Sequence, residues 1–438
     1  MNDLDLVIDN ASYIITCNDE NVVLNNSALG IKDTKIVLIA EAGSLRAPKV
    51  YDATNKIIAP GLINTHTHLA MSLLRGWAEG VNLQGFLERV WAAEGLIMSP
   101  INVELGTTLG ALESLHAGTT TTVDMYLFPD AAHRGAVSTG IRHITGPVFF
   151  DFTGLDGLEW AERLERARGW NQVLIDIGGP EVPVYLMPHS TYTVSPPHLR
   201  EVGALAREIG ASINIHASEN LSENQDVQSR YGKTPVSLLE ECGVLDMHTL
   251  IGHGVHLSHE DVSVLATHGS AIAHCPGSNL KLGSGVADIG RYQENRVRVG
   301  LGTDGCSSSN DLDMWSVMRL AAHLLSNRGG PESLRAHEIF RMATIEGARA
   351  LQLDSTIGII EICKQADLIA IDLKKPHLIP LHDIFAQLVF AVGRGDVSDV
   401  WVDGNQVIAQ GESTRVDFQG LASEVEVVML QLQAHFHE

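Results

Sequence analysis

Residues 57–68 read Ile57-Ile58-Ala59-Pro60-Gly61-Leu62-Ile63-Asn64-Thr65-His66-Thr67-His68. An apolar run that ends in a polar His-Thr-His triplet predicts a buried strand whose far end carries chemistry. Side chains alternate along a strand, so His66 and His68 share one side and can ligate one metal ion. Taken alone, such a pair is only moderately specific. Seven further apolar runs follow: Thr119–Asp124, Arg142–Phe150, Val182–His189, Ser212–Ala217, Thr249–His253, Ser270–Cys275 and Val297–Thr303. Helical patterns separate most of them, at Asn102–His116, Pro197–Ile209, Pro235–Cys242, His259–His268 and Leu312–Leu325. Eight βα units spread over about 300 residues predict a closed parallel barrel rather than an open sheet.

The flanks read differently. Residues 4–57 alternate short apolar runs with turns, as in Ser12-Tyr13-Ile14-Ile15-Thr16 and Lys35-Ile36-Val37-Leu38-Ile39-Ala40. That is strand spacing, and it returns in Ala366–Asp372 and Val397–Ile408. The expected fold is therefore α/β: a (β/α)8 TIM-like barrel over 58–360, with a small β-sandwich built from both chain ends. Residues 1–57 supply its N-terminal part, and 361–438 supply its C-terminal part and a terminal helix.

Composition narrows the partners. The chain has 438 residues, 45% apolar and 19% charged, which suits a globular enzyme. Its formal charge of −23 argues against nucleic acid or an anionic membrane surface and favours a small-molecule substrate without phosphate. Five scattered cysteines (Cys17, Cys242, Cys275, Cys306, Cys363) form no Cys-x-x-Cys, which points away from a disulfide framework and toward a reducing compartment. No run reaches the roughly 18 apolar residues of a membrane span, and the acidic start lacks a signal-peptide pattern. A cytoplasmic location is expected.

Other strand ends carry the same chemistry as the first. His216 closes Ile213-Asn214-Ile215-His216, His253 closes Leu250-Ile251-Gly252-His253, and Asp304 follows Val299-Gly300-Leu301-Gly302-Thr303. Active sites of such barrels are built at the C-terminal ends of the strands. His66, His68, His216 and Asp304 are the expected ligands of one divalent ion, zinc or ferrous iron, with a position left for water. The fourth strand ends in His189 and holds no lysine that could bridge a second ion.

At these residues the sequence resembles the amidohydrolase superfamily. It is most similar to the branch holding methylthioadenosine/S-adenosylhomocysteine deaminases and triazine chlorohydrolases. The resemblance runs nearly the whole length, through PGLINTHTHLAMSLLRG (60–76), HAGTTTTVDMY (116–126), HASEN (216–220), GHGVHLSHED (252–261), AHCPGSNLKLGSG (273–285), LGTDGCSSSNDLDMW (301–315) and QADLIAIDL (365–373). The closing VSDVWVDGNQVI (397–408) resembles the strands that return to the family's sandwich. The resemblance implies zinc on His66, His68, His216 and Asp304. It implies a proton-shuttling role for Glu219 and a water- or leaving-group-polarising role for His253. Glu94 resembles a glutamate that contacts ribose hydroxyls, against the plainer reading of a solvated helix residue, and His189 resembles a substrate contact. His274, before Cys275-Pro276, reads as structural. Members of the family often form homo-oligomers.

The sequence departs from that pattern at one place. Family members that accept the homocysteine group carry an arginine after the third strand, and here the region reads Ile144-Thr145-Gly146-Pro147-Val148-Phe149-Phe150. An uncharged 5′ group suits the apolar Val148-Phe149-Phe150. The expected reaction is hydrolytic deamination of an adenosine-type nucleoside (methylthioadenosine, adenosine or a 5′-modified adenosine). Asp304 would act as ligand and base, and Glu219, with a pKa raised by burial, as acid. Guanine, 8-oxoguanine, a pterin or a chlorinated triazine remain alternative substrates for the same barrel. A cytidine-deaminase-type centre would need a Pro-Cys-x-x-Cys that this chain lacks. A non-catalytic scaffold would be free to lose the ligands, and all of them are kept.

Overall fold

The computed structural model describes residues 4–333 and 335–436. The first five strands are β1 (Leu6–Ile15), β2 (Val23–Lys32), β3 (Lys35–Glu41), β4 (Lys49–Asp52) and β5 (Lys56–Pro60). Then come β6 (Leu62–Thr67), β7 (Thr119–Asp124), β8 (Arg142–Thr145), β9 (Val148–Phe149) and β10 (Tyr185–Pro188). After them run β11 (Ser212–Ala217), β12 (Thr249–His253), β13 (Ala271–His274) and β14 (Arg298–Leu301). The last four are β15 (Leu368–Asp372), β16 (Val397–Val402), β17 (Asn405–Ala409) and β18 (Glu412–Ser413).

The chain packs as two compact units. The first holds the chain up to Asn64, Leu112–Thr121 and Asp313–Val416. Its sheet runs β18-β17-β16-β15-β5-β1-β2-β3, with β4 beside β1. The two chain ends meet where β5 and β15 pair antiparallel, Ile58 opposite Ala370 and Ala59 opposite Ile369. The alternation seen in the sequence is the reason these segments assemble. Ile8, Ile14, Leu29, Leu368 and Trp401 enter one buried cluster, while their strand neighbours Val7 and Ala28 enter another with Leu4. Each fully buried Ile or Leu contributes about 1.5–3 kcal/mol. Tyr51 packs its edge on Trp401 at 4.8 Å and hydrogen-bonds Asp399.

The second unit holds Thr65–Ala111, Thr122–Leu312 and the chain from Asp417 onward. Strands β9 to β14 lie side by side in sequence order, and each pair is parallel. β6, β7 and β8 pair in that order. Past the end of β14, the Asp304 amide donates to the His66 carbonyl at 3.0 Å, and the Thr65 hydroxyl donates to the Leu301 carbonyl at 2.9 Å. This is the (β/α)8 order of a TIM-like barrel, and its strands are buried nearly throughout, as parallel strands are. The terminal helix Phe418–Phe436 packs in this unit, with Val428 and Leu432 in one cluster with Leu83, Phe86 and Val90 of the helix Leu83–Ile97.

Two expected strands are split, both at glycines. The run Ile57–His68 is two strands, β5 in the nine-stranded sheet and β6 in the barrel order. Gly61 lies between them, and a Cβ there would come within 2.1 Å of the Thr120 hydroxyl oxygen. The run Arg142–Phe150 breaks into β8 and β9 at Gly146-Pro147, where a Cβ on Gly146 would sit 1.9 Å from the Tyr185 carbonyl oxygen. An apolar run carries no mark of a bend that only a close backbone approach requires.

Among the described residues no helix is long and apolar enough to cross a membrane.

Candidate metal centre and active site

Four strand ends deliver polar side chains to the same place. His66 lies in β6 and His68 just after it, while His216 lies in β11 and His253 ends β12. Asp304 lies three residues past β14. His216 Nε2 is 3.1 Å from His66 Nε2, and His68 Nε2 is 3.2 Å from Asp304 Oδ1. His66 Nε2 lies 3.9 Å from the same oxygen. Ligand atoms of His66, His68 and His216 lie within 4.8 Å of one another, as do those of His66, His253 and Asp304. The backbone is held in the left-handed region at Ser218 (φ 54), His253 (φ 71) and Asp304 (φ 61). Three such residues at strand ends store strain of the kind found at functional sites.

Second partners fix the ring orientations. His68 Nδ1 meets the Met125 carbonyl at 2.5 Å, and His216 Nδ1 meets the His189 carbonyl at 2.7 Å. A carbonyl only accepts, so both Nδ1 atoms carry a proton and both Nε2 atoms face inward. Imidazole Nε2 atoms of His66, His68 and His216 that converge, with the Asp304 carboxylate beside them, form a donor set that fits a divalent cation. Burial holds His66 and His216 well below the usual imidazole range. Burial also works against the charged form of His68, but the Asp304 carboxylate raises it to about 9. Burial alone would raise Asp304, yet its hydrogen bond to His68 and the surrounding imidazoles hold it well below the carboxylate range. A cation at the shared point would take over the pairing that the His68 proton makes with Asp304.

Beside this cluster, His253 Nε2 lies 3.9 Å from Glu219 Oε1. Asn279 Oδ1 accepts from His253 Nδ1 at 2.9 Å, which turns Nε2 toward Glu219. Glu219 is raised above its ordinary value by burial. Its backbone amide donates to Glu223 at 2.8 Å, and Thr191 donates to the other Glu223 oxygen at 2.6 Å. Burial pushes Glu223 up to about 7. Glu94, on the helix Leu83–Ile97, is buried rather than solvated, accepts the Tyr126 hydroxyl at 2.5 Å, and is pushed up to about 7 by burial. His189 follows β10, with Nδ1 in reach of the Ser190 and Thr193 hydroxyls, and burial lowers it to about 3.

One cavity of about 290 Å³ is bounded by His68, His189, His216, His253, Glu94, Glu219 and Asp304 together. Every site residue singled out in the sequence borders it except His66, which lies behind the others in contact with His216. Phe149 does not reach it. That ring is fully buried against Trp160 at 5.6 Å, while Val148 and Phe150 line the wall and Phe152 joins them. His274 is buried, and burial lowers it to about 3. Tyr126, Asn279 and Glu223 support the site without having been singled out. Tyr126 sits two residues past β7, a rim position that the barrel rule marks. Asn279 and Glu223 carry no comparable signal, since their roles depend on which ring or amide they meet.

Comparison with known proteins bears on the family and the fold. The model of the amidohydrolase family matches residues 57–407. The 5-methylthioadenosine/S-adenosylhomocysteine deaminase of Moorella thermoacetica is 38% identical over 411 residues, covering 92% of this chain and 94% of that relative. The crystal structure of an adenosine deaminase from Xanthomonas campestris with bound zinc superposes with a TM-score of 0.94 at 32% identity, over 98% of this chain and 99% of that one. A zinc complex of atrazine chlorohydrolase from Arthrobacter aurescens gives a TM-score of 0.87 at 25% identity, over 97% and 100%. With the family model spanning most of its length and a full-length relative well above 30% identity, this chain belongs to the amidohydrolase family.

Proposed function

We propose that this chain is a metal-dependent deaminase that converts an adenosine-type nucleoside to its inosine analogue and ammonia. The observation that carries this is the pairing of two features at the base of one cavity: inward-facing Nε2 atoms with Asp304, and a buried acid, Glu219, beside His253. Relatives named as adenosine and methylthioadenosine deaminases support the ring and the nucleoside.

His66, His68, His216 and Asp304 would hold one divalent ion, with zinc favoured by the zinc-bound neighbours and ferrous iron compatible with the donors. When bound, such an ion lowers the pKa of a water from about 15.7 toward 7, which makes a nucleophile available at neutral pH. Asp304 takes a proton from the attacking water as its oxygen adds to the amino-bearing ring carbon. Glu219, whose protonated form burial favours, gives its proton to the adjacent ring nitrogen. His253, oriented by Asn279, positions the water and balances the charge that develops. Asp304 then passes its proton to the amino group, the C–N bond breaks, and ammonia leaves. The carbinol proton returns to Glu219 as the ring carbonyl forms. Water enters, ammonia leaves, and both carboxyl groups end as they began. Glu94 contacts the ribose hydroxyls, and His189 contacts the substrate.

The test is product release from the metal-loaded protein with adenosine, 5′-methylthioadenosine, S-adenosylhomocysteine, guanine, a pterin and a chlorinated triazine. Ammonia from the adenosine compounds is the expected result. Chloride from the triazine, or ammonia from guanine or pterin alone, would replace this reading with one of its alternatives.

A further inference from the structure

Glu219 must aim at one ring nitrogen, yet its carboxyl lies 3.9 Å from His253 Nε2, beyond hydrogen-bond distance. Its aim therefore rests on the backbone that carries it. That backbone leaves β11 through Ser218, which is held in the left-handed region at φ 54. A residue with a side chain keeps such a conformation where its surroundings impose it. On one side the loop after β12 does so: the amides of Val255 and His256 donate to the Ser218 carbonyl at 2.8 and 2.9 Å. On the other side stands Glu223.

Glu223 is buried, and it lies outside the cavity lining to which Tyr192 and Glu219 belong. It sits in the first turn of the helix Leu221–Tyr231, where the Asn220 side chain accepts its amide at 2.8 Å. With its backbone anchored there, its carboxyl reaches back past the cap. One oxygen accepts the Glu219 amide at 2.8 Å, and the other meets the Thr191 hydroxyl at 2.6 Å. Thr191 belongs to the segment after β10, between His189, whose carbonyl accepts from His216 Nδ1, and the cavity-lining Tyr192. A single carboxyl thus ties the exit of β10 to the exit of β11. Burying an acid is costly, and these two partners offset that cost. The deamination steps above route no proton through it.

We propose that Glu223 is a positioning residue, a clamp across the exits of β10 and β11 that holds Glu219 in line with the substrate ring. This rests on the deaminase reading above, in which Glu219 carries the proton. The clamp needs shape rather than charge. An amide asks only for an acceptor, and a threonine hydroxyl can give or take a hydrogen bond. Glutamine at this position meets both demands, and alanine meets neither.

The experiment measures kcat and KM for ammonia release from adenosine and 5′-methylthioadenosine by the metal-loaded protein. Glu223→Ala and Glu223→Gln are compared in the parent and in a Glu219→Gln background. Glu223→Ala should lower kcat about 10- to 100-fold, with KM within about threefold of the parent and metal content whole. Glu223→Gln should restore kcat to within about threefold of the parent. In the Glu219→Gln background, adding Glu223→Ala should lower kcat by no more than about twofold, because the clamp has no proton donor left to aim. If Glu223→Ala does not fold, Thr191→Val carries the test. It removes one partner of the clamp, and its fall in kcat, at least about threefold, should vanish in the Glu219→Gln background. A loss that persists at full size in that background, or a Glu223→Gln variant as slow as Glu223→Ala, overturns the clamp while leaving nucleoside deamination standing. No ammonia from either nucleoside with the parent overturns both.

Discussion

Two pairs of buried histidines in this protein bring ring nitrogens to the same 3.1 Å separation, His66 with His216 and His133 with His143. Their surroundings differ. In the first pair the rings are nearly perpendicular, at 87°, and His216 gives its outer nitrogen to a backbone carbonyl. Its inner nitrogen then faces His66 Nε2, and the Asp304 carboxylate lies 3.9 Å from that atom. In the second pair the rings are stacked at 30°, and His143 donates Nε2–H to Asp124 at 3.0 Å. One proton then serves the two Nδ1 atoms, and burial keeps His133 neutral, near 3. Burial and spacing do not make a metal site. In the proposed centre the partner of the far nitrogen of His216 decides where its proton sits, and so which nitrogen can face an ion. The second pair supports the first, since the other Asp124 oxygen accepts the Leu69 amide at 2.8 Å, next to His68.

The contrast predicts a graded series of effects. Asp304→Asn or His216→Ala should abolish stoichiometric metal and lower kcat by at least about 10³-fold. His143→Gln should retain one metal per chain, and elemental analysis of both variants decides whether the two clusters differ as described. A His143 variant as metal-free as the His216 variant would erase the distinction.

Glu219→Gln comes next. It keeps the shape of the acid and removes its proton donor, so kcat should fall at least about a hundredfold while metal content stays whole. An almost normal rate would show that the acid beside His253 is not the proton shuttle.

Asp124→Asn should act through metal binding. The variant keeps an acceptor for Leu69 but weakens the hold of His143, and a competitive chelator titration should show metal affinity down about 10- to 100-fold. With metal in excess, kcat should recover to near the parent value, which a lost ligand would not allow.

The smallest effect concerns buried acids. Glu94 is met by one tyrosine hydroxyl, whereas Asp124 is met by an amide and an imidazole. Burial pushes Glu94 from 4.5 up to about 7, so the folded protein holds a proton that the unfolded chain releases above 4.5. The resulting stabilisation is full below pH 4.5 and is lost as pH rises through 7. Between pH 5 and 8 the Tm of the parent should therefore drop by a few °C relative to Glu94→Gln, which titrates nothing at that position. Parallel Tm curves would mean that Glu94 is solvated or compensated by another group.

Legibility in the sequence followed the range of the interaction. Apolar runs at regular intervals marked all eight barrel strands, because a buried parallel strand must be apolar along its whole length. The bends at Gly61 and Gly146 were invisible, since they answer to Thr120 and to the Tyr185 carbonyl, far away in the chain. His66, His68, His216 and Asp304 stood out because each polar residue interrupts an apolar run at its end. Glu94 was ambiguous between solvent and site until packing buried it. Phe149 and Phe150 were equivalent as letters, and strand alternation sent one to the core and the other to the cavity.

Sequence alone therefore determined the architecture and singled out the proposed donor set, since periodic burial and residue chemistry are written locally. Tertiary structure decided which nitrogen of His68, His216 and His253 turns inward, which acids are raised, and which aromatic rings reach the mouth. Those properties belong to pairs of groups that meet only after folding, and proton position and solvation depend on the partner rather than on the residue itself.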